Sequence, residues 1–173
     1  MIVCETERLI IQHFELSDAE YVLKQLNEAS FIRFIADKQV RNIIDAEKYL
    51  KDGPMASYHK FGFGLNMVLL KSSGVPIGMC GLLKRAELEH PDLGYAFLPK
   101  FWGNGYATEA AQASLVYAFN TLNLTEVVSF TTVSNLRSRS VMQRLGLSNT
   151  YQNFEHPDID IDHPLSEHVL YKI

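Results

Sequence analysis

The sequence predicts a mixed α/β fold. Apolar stretches rich in Val, Ile and Phe alternate along the chain with stretches of helical periodicity. Around a glycine-rich segment in the middle, the order is strand, helix, strand, helix. No repeat, linker or low-complexity tract divides the 173 residues, and a chain of this length can bury its own core. We therefore expect one domain over residues 1–173.

The N-terminal part predicts one strand followed by two helices. The first strand is "RLIIQHF". The next segment, "LSDAEYVLKQLNEA", places Ser17 and Glu20 at the spacing of a capping box, which predicts a helix start. The second helix, "NIIDAEKYLKDG", should stop at Gly53 and Pro54.

The central part predicts three strands around one turn. "GFGLNMVLLKSSGVPIGMCGLLK" has the pattern of a hairpin that turns at Ser72–Gly74. "DLGYAFLP" is the fourth predicted strand, and its internal Gly94 indicates a bulge or a close backbone approach.

The C-terminal part continues the alternation. The segment "TEVVSFTTV" predicts the fifth strand, and "NLRSRSVMQRLGL" predicts a helix that ends near Gly146. Two further strands are expected near "NTYQNF" and "EHVLYKI".

Composition and charge narrow the function classes. The net charge of −4 disfavours non-specific nucleic-acid binding, which depends on Lys and Arg. Cys4 and Cys80 are far apart and lack metal-ligand spacing, as expected for a reducing compartment. The first residues do not resemble a signal peptide, and no apolar stretch approaches the ~20 residues of a membrane span. We expect a cytoplasmic protein with no membrane partner.

The segment "FWGNGYATEAAQASLVYAF" combines a glycine loop with the start of a helix. Helix N-termini carry unpaired N–H groups and a partial positive charge, and glycines let an anion approach them closely. The segment therefore predicts a phosphate cradle. A tight strand-to-helix turn without a ligand is the alternative from these residues alone.

Three classes of phosphate loop compete for this segment. The Gly-Lys-Ser/Thr end of a P-loop is absent from the chain. A dinucleotide fingerprint would need Gly or Ala where Thr108 stands, and would open the chain rather than follow about a hundred residues. The third class, the acetyl-CoA loop of GNAT acyltransferases, resembles "FWGNGYATEAA", with Trp102 replacing its usual Gln or Arg.

Other segments carry the same resemblance in the same order. "TERLIIQHF", "PIGMCGLL" and "NLRSRSVMQRLGL" are similar to strands and a helix of the RimJ/RimL-like GNAT branch, with Leu147 in place of an aromatic residue. The resemblance implies a mostly antiparallel sheet of about seven strands and about four helices. It also implies a bulge that splays the fourth strand, near 92–98, from the fifth, near 125–133.

The resemblance implies acetyl-CoA as co-substrate and no metal. Thr108 could add its hydroxyl to the phosphate site, or could simply begin the helix. Asn135 could bond the pantetheine arm and also start its own helix. A backbone N–H near Phe97 would hold the oxyanion. Backbone groups are implied to bind the pyrophosphate and the pantetheine at two sets of positions: Gly103, Asn104, Gly105, Tyr106, Ala107 and Thr108; and Phe97 and Leu98.

The resemblance also implies an acid and a base. Met142 stands where many GNAT enzymes carry a tyrosine, so the acid role passes to Ser138, whose alternative is a plain helix-start serine. Asp92 is the preferred base because it enters the central strand. The alternatives are Glu87, Glu89, His90, Glu155 and His156.

The polar tail and one basic cluster contain further candidate sites. Asp158, Asp160 and Asp162 begin like a calcium loop, but His163 and Val169 occupy its required Gly and Glu positions. His156, His163 and His168 could bind zinc, which this chemistry does not need; a loop shaping the acceptor mouth fits better. Arg137, Arg139 and Arg144 could reach a CoA phosphate or form a solvated helix face.

Two function classes remain open at this level. The first is an N-acetyltransferase in which a primary amine attacks acetyl-CoA directly in a ternary complex. The second is a non-catalytic GNAT-fold module that binds CoA as a sensor or interaction partner. The acceptor could be a small molecule or a protein or peptide amine, and the acidic surface favours a cationic one. Monomer and homodimer are both compatible with the sequence.

Overall fold

The protein is built on one mixed sheet of eight strands within the described part of the chain. Its structure, a computed structural model, describes residues 1–152 and 168–172. The strand order across the sheet is β1-β2-β3-β4-β5-β6-β8-β7. The strands are β1 Ile2–Glu5, β2 Leu9–His13, β3 Leu65–Leu70, β4 Pro76–Leu83, β5 Asp92–Phe97, β6 Val128–Thr132, β7 Ser148–Gln152 and β8 His168–Lys172.

Six α-helices cover the two faces of this sheet in the described ranges. They are α1 Ala19–Leu26, α2 Ala29–Phe34, α3 Ile43–Leu50, α4 Ala56–Phe61, α5 Tyr106–Asn120 and α6 Leu136–Arg144. One core packs α5 and α6 against residues such as Ile77 and Phe97, and a second packs α1 and α3 against Met67 and Met79. Since side chains alternate between the faces of a strand, consecutive strand residues belong to different cores.

The sheet opens between β5 and β6, as the resemblance implied. These two strands run parallel, and their pairing is limited to Asp92 opposite Val128. On its other side, β5 pairs with β4 in an unbroken register from Asp92 to Phe97. The predicted fourth and fifth strands are β5 and β6, and they separate beyond Asp92 and Val128, which opens the gap where it was predicted.

The predicted strands are present, but the sequence reading missed β1. This strand pairs with β2 and adds an eighth strand at the edge of the sheet. Its four residues are too few to show a period. Gly74 closes the predicted hairpin at φ +68°. Gly94 lies in a closely packed part of the strand and not in a bulge. A Cβ added there would lie 2.7 Å from the Leu83 side chain.

The second predicted helix does not stop at Gly53 and Pro54. The chain passes from α3 through a π-helical turn, Lys51–Met55, directly into α4. The wider turn accommodates a proline that lacks an N–H, and the segment ends at Gly62 in the left-handed conformation. A further difference concerns the first helix. The chain enters α1 through a helical turn, in which the Glu15 N–H donates to Asp18 at 2.8 Å; the predicted Ser17–Glu20 box is wrong.

No helix in residues 1–152 or 168–172 combines the length and the apolar character that crossing a membrane requires.

Candidate active site

The glycine loop has the backbone conformation that only glycine adopts readily. Gly103 and Gly105 have φ angles of +81° and +80°, a region costly for other residues. Gly105 is the N-cap of α5 and offers no side chain to cap it, and the first intrahelical bond runs from Glu109 N–H to the Gly105 carbonyl. The N–H groups of the first turn therefore point out of the helix end.

An ion pair made by Arg8, the residue just before β2, holds this loop from the side of the sheet. The Arg8 guanidinium contacts Glu109 at 2.7 and 2.5 Å and donates to the Asn104 carbonyl at 3.0 Å. It also lies 4.6 Å from the centre of the Tyr106 ring. The Asn104 side chain in turn donates to two carbonyls of the preceding turn. The loop is thus held in one conformation before any ligand arrives.

Thr108, in the first turn of α5, carries a buried hydroxyl that has no hydrogen-bond partner in the described protein. An unpaired buried hydroxyl is costly, and such groups commonly mark a place for a missing partner. Its position beside the open N–H groups of α5 fits an acceptor such as a phosphate oxygen.

The two residues implied to pair with pantetheine behave differently. Leu98 donates its N–H to the Ile77 carbonyl at 2.9 Å and accepts from Phe101 at 2.9 Å. Both backbone groups of Leu98 are bonded within the protein, although its carbonyl keeps a second lone pair, so its role toward pantetheine stays a prediction. Because adjacent strand residues turn their backbone groups to opposite sides, Phe97 faces the gap, where its carbonyl accepts from Trp102 Nε1 at 2.7 Å.

The first turn of α6 lies across the gap from the glycine loop. Asn135 is its N-cap and accepts from the Ser138 N–H at 3.2 Å. The Ser138 hydroxyl lies 2.8 Å from the hydroxyl of Tyr95 on β5. Arg137 lies 4.9 Å above the Trp102 ring and so connects α6 to the loop. Met142 is 1% exposed and belongs to the core.

Asp92 lies apart from Ser138. Its side chain is 2% exposed and accepts from Arg85 Nε at 3.0 Å. Burial raises the pKa of Asp92 to about 6, against the opposing influence of Arg85. Side chains alternate along β5, so Asp92 faces the α1 and α3 side while Tyr95 faces α6. Asp92 and Tyr95 are three positions apart, about 10 Å along a strand.

The other base candidates lie outside this arrangement. His90 contacts Glu126 at 2.7 Å and Glu89 at 3.7 Å. Glu87 raises the pKa of Asp92 only slightly in comparison with burial. Glu155 and His156 lie outside the described residues, as do the tail aspartates and two of the three tail histidines; of His168 only the backbone in β8 is described.

The arginines of the predicted basic cluster make different contacts. Arg137 stacks on Trp102, whereas Arg139 donates to the Val133 carbonyl at 3.2 Å. Within the described ranges, no group of three metal-ligating side chains comes together.

The chain that forms this gap, glycine loop and helix matches a known protein family. The family model for the acetyltransferase (GNAT) domain matches residues 8–148. The chain belongs to the GNAT acetyltransferase family. The resemblance noted in the sequence is therefore confirmed for the family and for the acetyltransferase fold.

Individual relatives agree with this membership. An uncharacterized N-acetyltransferase, YnaD of Bacillus subtilis, is 28% identical over 142 residues, covering 82% of this chain and 80% of its own. A solved acetyltransferase from Agrobacterium tumefaciens is 25% identical, has a TM-score of 0.80, and is matched over 98% of this chain and 92% of its own.

A third comparison supports the fold alone. The ribosomal L7/L12 alpha-N-protein acetyltransferase RimL, solved in complex with coenzyme A, has a TM-score of 0.81 and 14% identity. The match covers 100% of this chain and 97% of RimL. At this identity the likeness to RimL shows a shared fold.

Sequence reasoning missed three side chains of the site. Arg8, Glu109 and Tyr95 come from three separate elements, and each reads as an ordinary strand or helix residue in isolation. Two local signals were available. Arg8 is a charged residue at the start of a predicted strand, and Glu109 is an acidic residue in the first turn of α5. Tyr95 gave none, because its partner is 43 residues away.

Proposed function

We propose that this GNAT acetyltransferase transfers the acetyl group of acetyl-CoA to a primary amine by direct attack within a ternary complex. One observation carries the proposal: the glycine loop, the β5–β6 gap and the first turn of α6 meet at one end of the sheet. A phosphate-bearing, elongated acyl donor is the ligand that this combination suits.

The described residues fit acetyl-CoA as a substrate. The N–H groups from Gly103 to Thr108 would receive the pyrophosphate, and the unpartnered Thr108 hydroxyl would donate to one of its oxygens. Phe97 would pair with the pantetheine arm by strand addition, and the Asn135 amide nitrogen would donate to it. The Phe97 N–H is the proposed oxyanion donor.

The cysteines support direct attack rather than an acetylated enzyme. Burial raises the pKa of Cys4 to about 11 and that of Cys80 to about 12. Both thiols are therefore protonated near neutral pH, and a protonated thiol is a poor nucleophile. The raised thiol pKa values therefore argue against an acetyl-cysteine intermediate and favour attack by the amine itself.

Proton transfer is assigned to two residues on opposite faces of β5. Ser138, in the first turn of α6, is the proposed donor to the departing thiolate, and the positive helix end favours the negative charge there. Asp92 is the proposed base. Because its carboxylate is buried, it would take the amine proton through water, and its raised pKa makes it a stronger base than an exposed aspartate.

The proposed acceptor is a cationic amine. The chain's net charge of −4 attracts cations over a distance. RimL acts on a protein α-amine according to its description, which makes protein N-termini one acceptor class to test beside polyamines and aminoglycosides.

A thiol-release assay with a panel of amines tests this proposal, followed by mass spectrometry of the acetylated product. Direct attack predicts intersecting initial-velocity patterns when both substrates are varied. Cys4→Ser should retain activity. Parallel velocity patterns would contradict direct attack. Binding of acetyl-CoA without transfer to any amine would instead support a CoA-binding module.

Ser138→Ala tests the proton donor. We expect kcat to fall about a hundredfold, the usual scale of general-acid help, with acetyl-CoA affinity changed less than threefold. The reason is that the proton is donated only in the transition state. Trp102 is the chain's single tryptophan and lies in the loop, so its fluorescence can report binding. Ser140→Ala, on the same helix, is the control. If the kcat of Ser138→Ala stays within threefold of wild type, Ser138 is not the proton donor and that role belongs to water.

A further inference from the structure

We propose that Tyr95 supplies the proton that Ser138 delivers, so that the two hydroxyls form a relay to the departing thiolate. This inference rests on the proposed function, in which Ser138 is the donor. It adds a residue on another element, β5, that sequence reasoning and family membership do not assign.

The geometry that carries the relay is a pair of short contacts. The Tyr95 hydroxyl oxygen lies 2.8 Å from the Ser138 hydroxyl oxygen and 3.2 Å from the Ser138 backbone carbonyl. Both side chains are half-buried at the gap between β5 and α6. Rotation about the phenolic C–O bond is enough to turn the Tyr95 proton from the carbonyl to the serine hydroxyl.

Two contacts hold Ser138 in place for this exchange. Its N–H donates to the N-cap Asn135 at 3.2 Å, which fixes the first turn of α6. Its carbonyl accepts from Tyr95. Ser138 is therefore tied to β5 and to its own helix start, so the distance between the two hydroxyls does not depend on a loop.

Acidity explains why the serine needs the tyrosine. A thiol titrates near ~8.5 and a phenol near ~10, whereas an aliphatic alcohol is a far weaker acid. A serine that gives up its proton alone becomes an alkoxide, a much stronger base than the thiolate that it protonates. When the tyrosine replaces the lost proton at once, the charge ends on a phenolate, which is close in basicity to the thiolate.

The step balances in atoms and protons. The acceptor nitrogen forms the C–N bond, the C–S bond breaks, and sulfur leaves with the electron pair. Sulfur takes the Ser138 proton and the Ser138 oxygen takes the Tyr95 proton. The acceptor nitrogen passes its proton through water to Asp92. The phenolate regains a proton from solvent while Asp92 releases its own to solvent, so no net proton is gained or lost. Tyr95 acts through Ser138, so it is a positioning and relay residue.

The first test is a double-mutant cycle in single-turnover acetyl transfer. Tyr95→Phe should slow the reaction at least tenfold with acetyl-CoA affinity unchanged. In the Ser138→Ala background the same change should cost less than twofold, because the relay is already broken. Additive losses would overturn the relay. Tyr58→Phe is the control, because its hydroxyl bonds the backbone of Phe14 and Leu65, away from the gap.

Isotope composition separates a relay from a merely structural role. The single-turnover rate across H₂O/D₂O mixtures should curve for wild type, because two protons move together. It should become linear in Tyr95→Phe and stay curved in Tyr58→Phe. A linear dependence in wild type would overturn the proposal.

A ¹³C resonance measurement on the ligand-bound protein needs no acetyl transfer, so its result does not depend on which amine is the acceptor. With tyrosine labelled at the phenolic carbon, CoA should shift the Tyr95 ¹³C resonance, whereas desulfo-CoA, which lacks the sulfur, should not. Ser138→Ala should abolish the difference. Equal shifts with both ligands would overturn the relay. Absence of transfer to any amine, with the CoA-specific shift present, would contradict the proposed function and leave the hydroxyl coupling standing.

Discussion

Replacing Asp92 by Asn should change the pH dependence of stability. Burial raises the folded-state pKa of Asp92 from 3.8 to about 6, so the folded chain holds this proton more tightly than the unfolded chain does. The group therefore favours folding below about pH 4, and its contribution is lost as the pH rises through 6. A gap of about two pH units corresponds to about 3 kcal/mol of unfolding free energy.

Asn keeps the shape of Asp92 and can still accept from Arg85, but it cannot ionise. Relative to wild type, Asp92→Asn should therefore gain about 3 kcal/mol between pH 4 and pH 7. Urea unfolding, followed by the single tryptophan at several pH values, measures this difference directly. Taking the difference between the two proteins removes the titration of the other groups.

Two further variants sharpen the test. Arg85→Met removes the cation that opposes the effect of burial, so the pKa of Asp92 should rise further. Asp37→Asn should show the opposite slope only below about pH 4, because the hydrogen bond from Arg41 holds the pKa of Asp37 below its usual value of 3.8. From pH 4 to pH 7 its difference from wild type should stay flat. A difference between Asp92→Asn and wild type that stays flat from pH 4 to pH 7, or that slopes the other way, would refute the reasoning.

Two pairs of glycine variants test the loop and the sheet. Gly105→Ala should weaken acetyl-CoA binding at least tenfold, about 1.4 kcal/mol, because alanine disfavours a φ of +80° and its Cβ would lie 3.5 Å from the Arg8 guanidinium that holds the loop. Gly74→Ala, at φ +68° with open space around it, measures the conformational cost alone. Equal affinities in these two variants would contradict the cradle. Gly81→Ala places a Cβ 2.2 Å from the Gly64 carbonyl oxygen and should cost about 1–3 kcal/mol of unfolding free energy. Gly53→Ala, with no atom within 4 Å, should cost less, and a melting-temperature comparison decides between them.

Local pattern predicted most of the elements, because period and turn chemistry are written in neighbouring residues. The glycine loop, the α6 N-cap at Asn135 and the Gly74 turn all follow from residues within a few positions of one another. Short elements escaped because four to six residues carry too little periodicity. The stop expected at Pro54 was wrong because a π-helical turn absorbed the proline.

The sequence by itself predicted the family, the glycine loop before α5 and the helix start at Asn135 and Ser138, since these depend on residue type and local spacing. The tertiary structure alone decided which side chains meet. It brought Tyr95 to Ser138 and Arg8 to Glu109 across 43 and 101 residues. It also separated Asp92 from Ser138 by the alternation of β5 and buried it beside Arg85. The physical reason is that strand pairing and helix packing set distances between segments, and no local pattern encodes those distances.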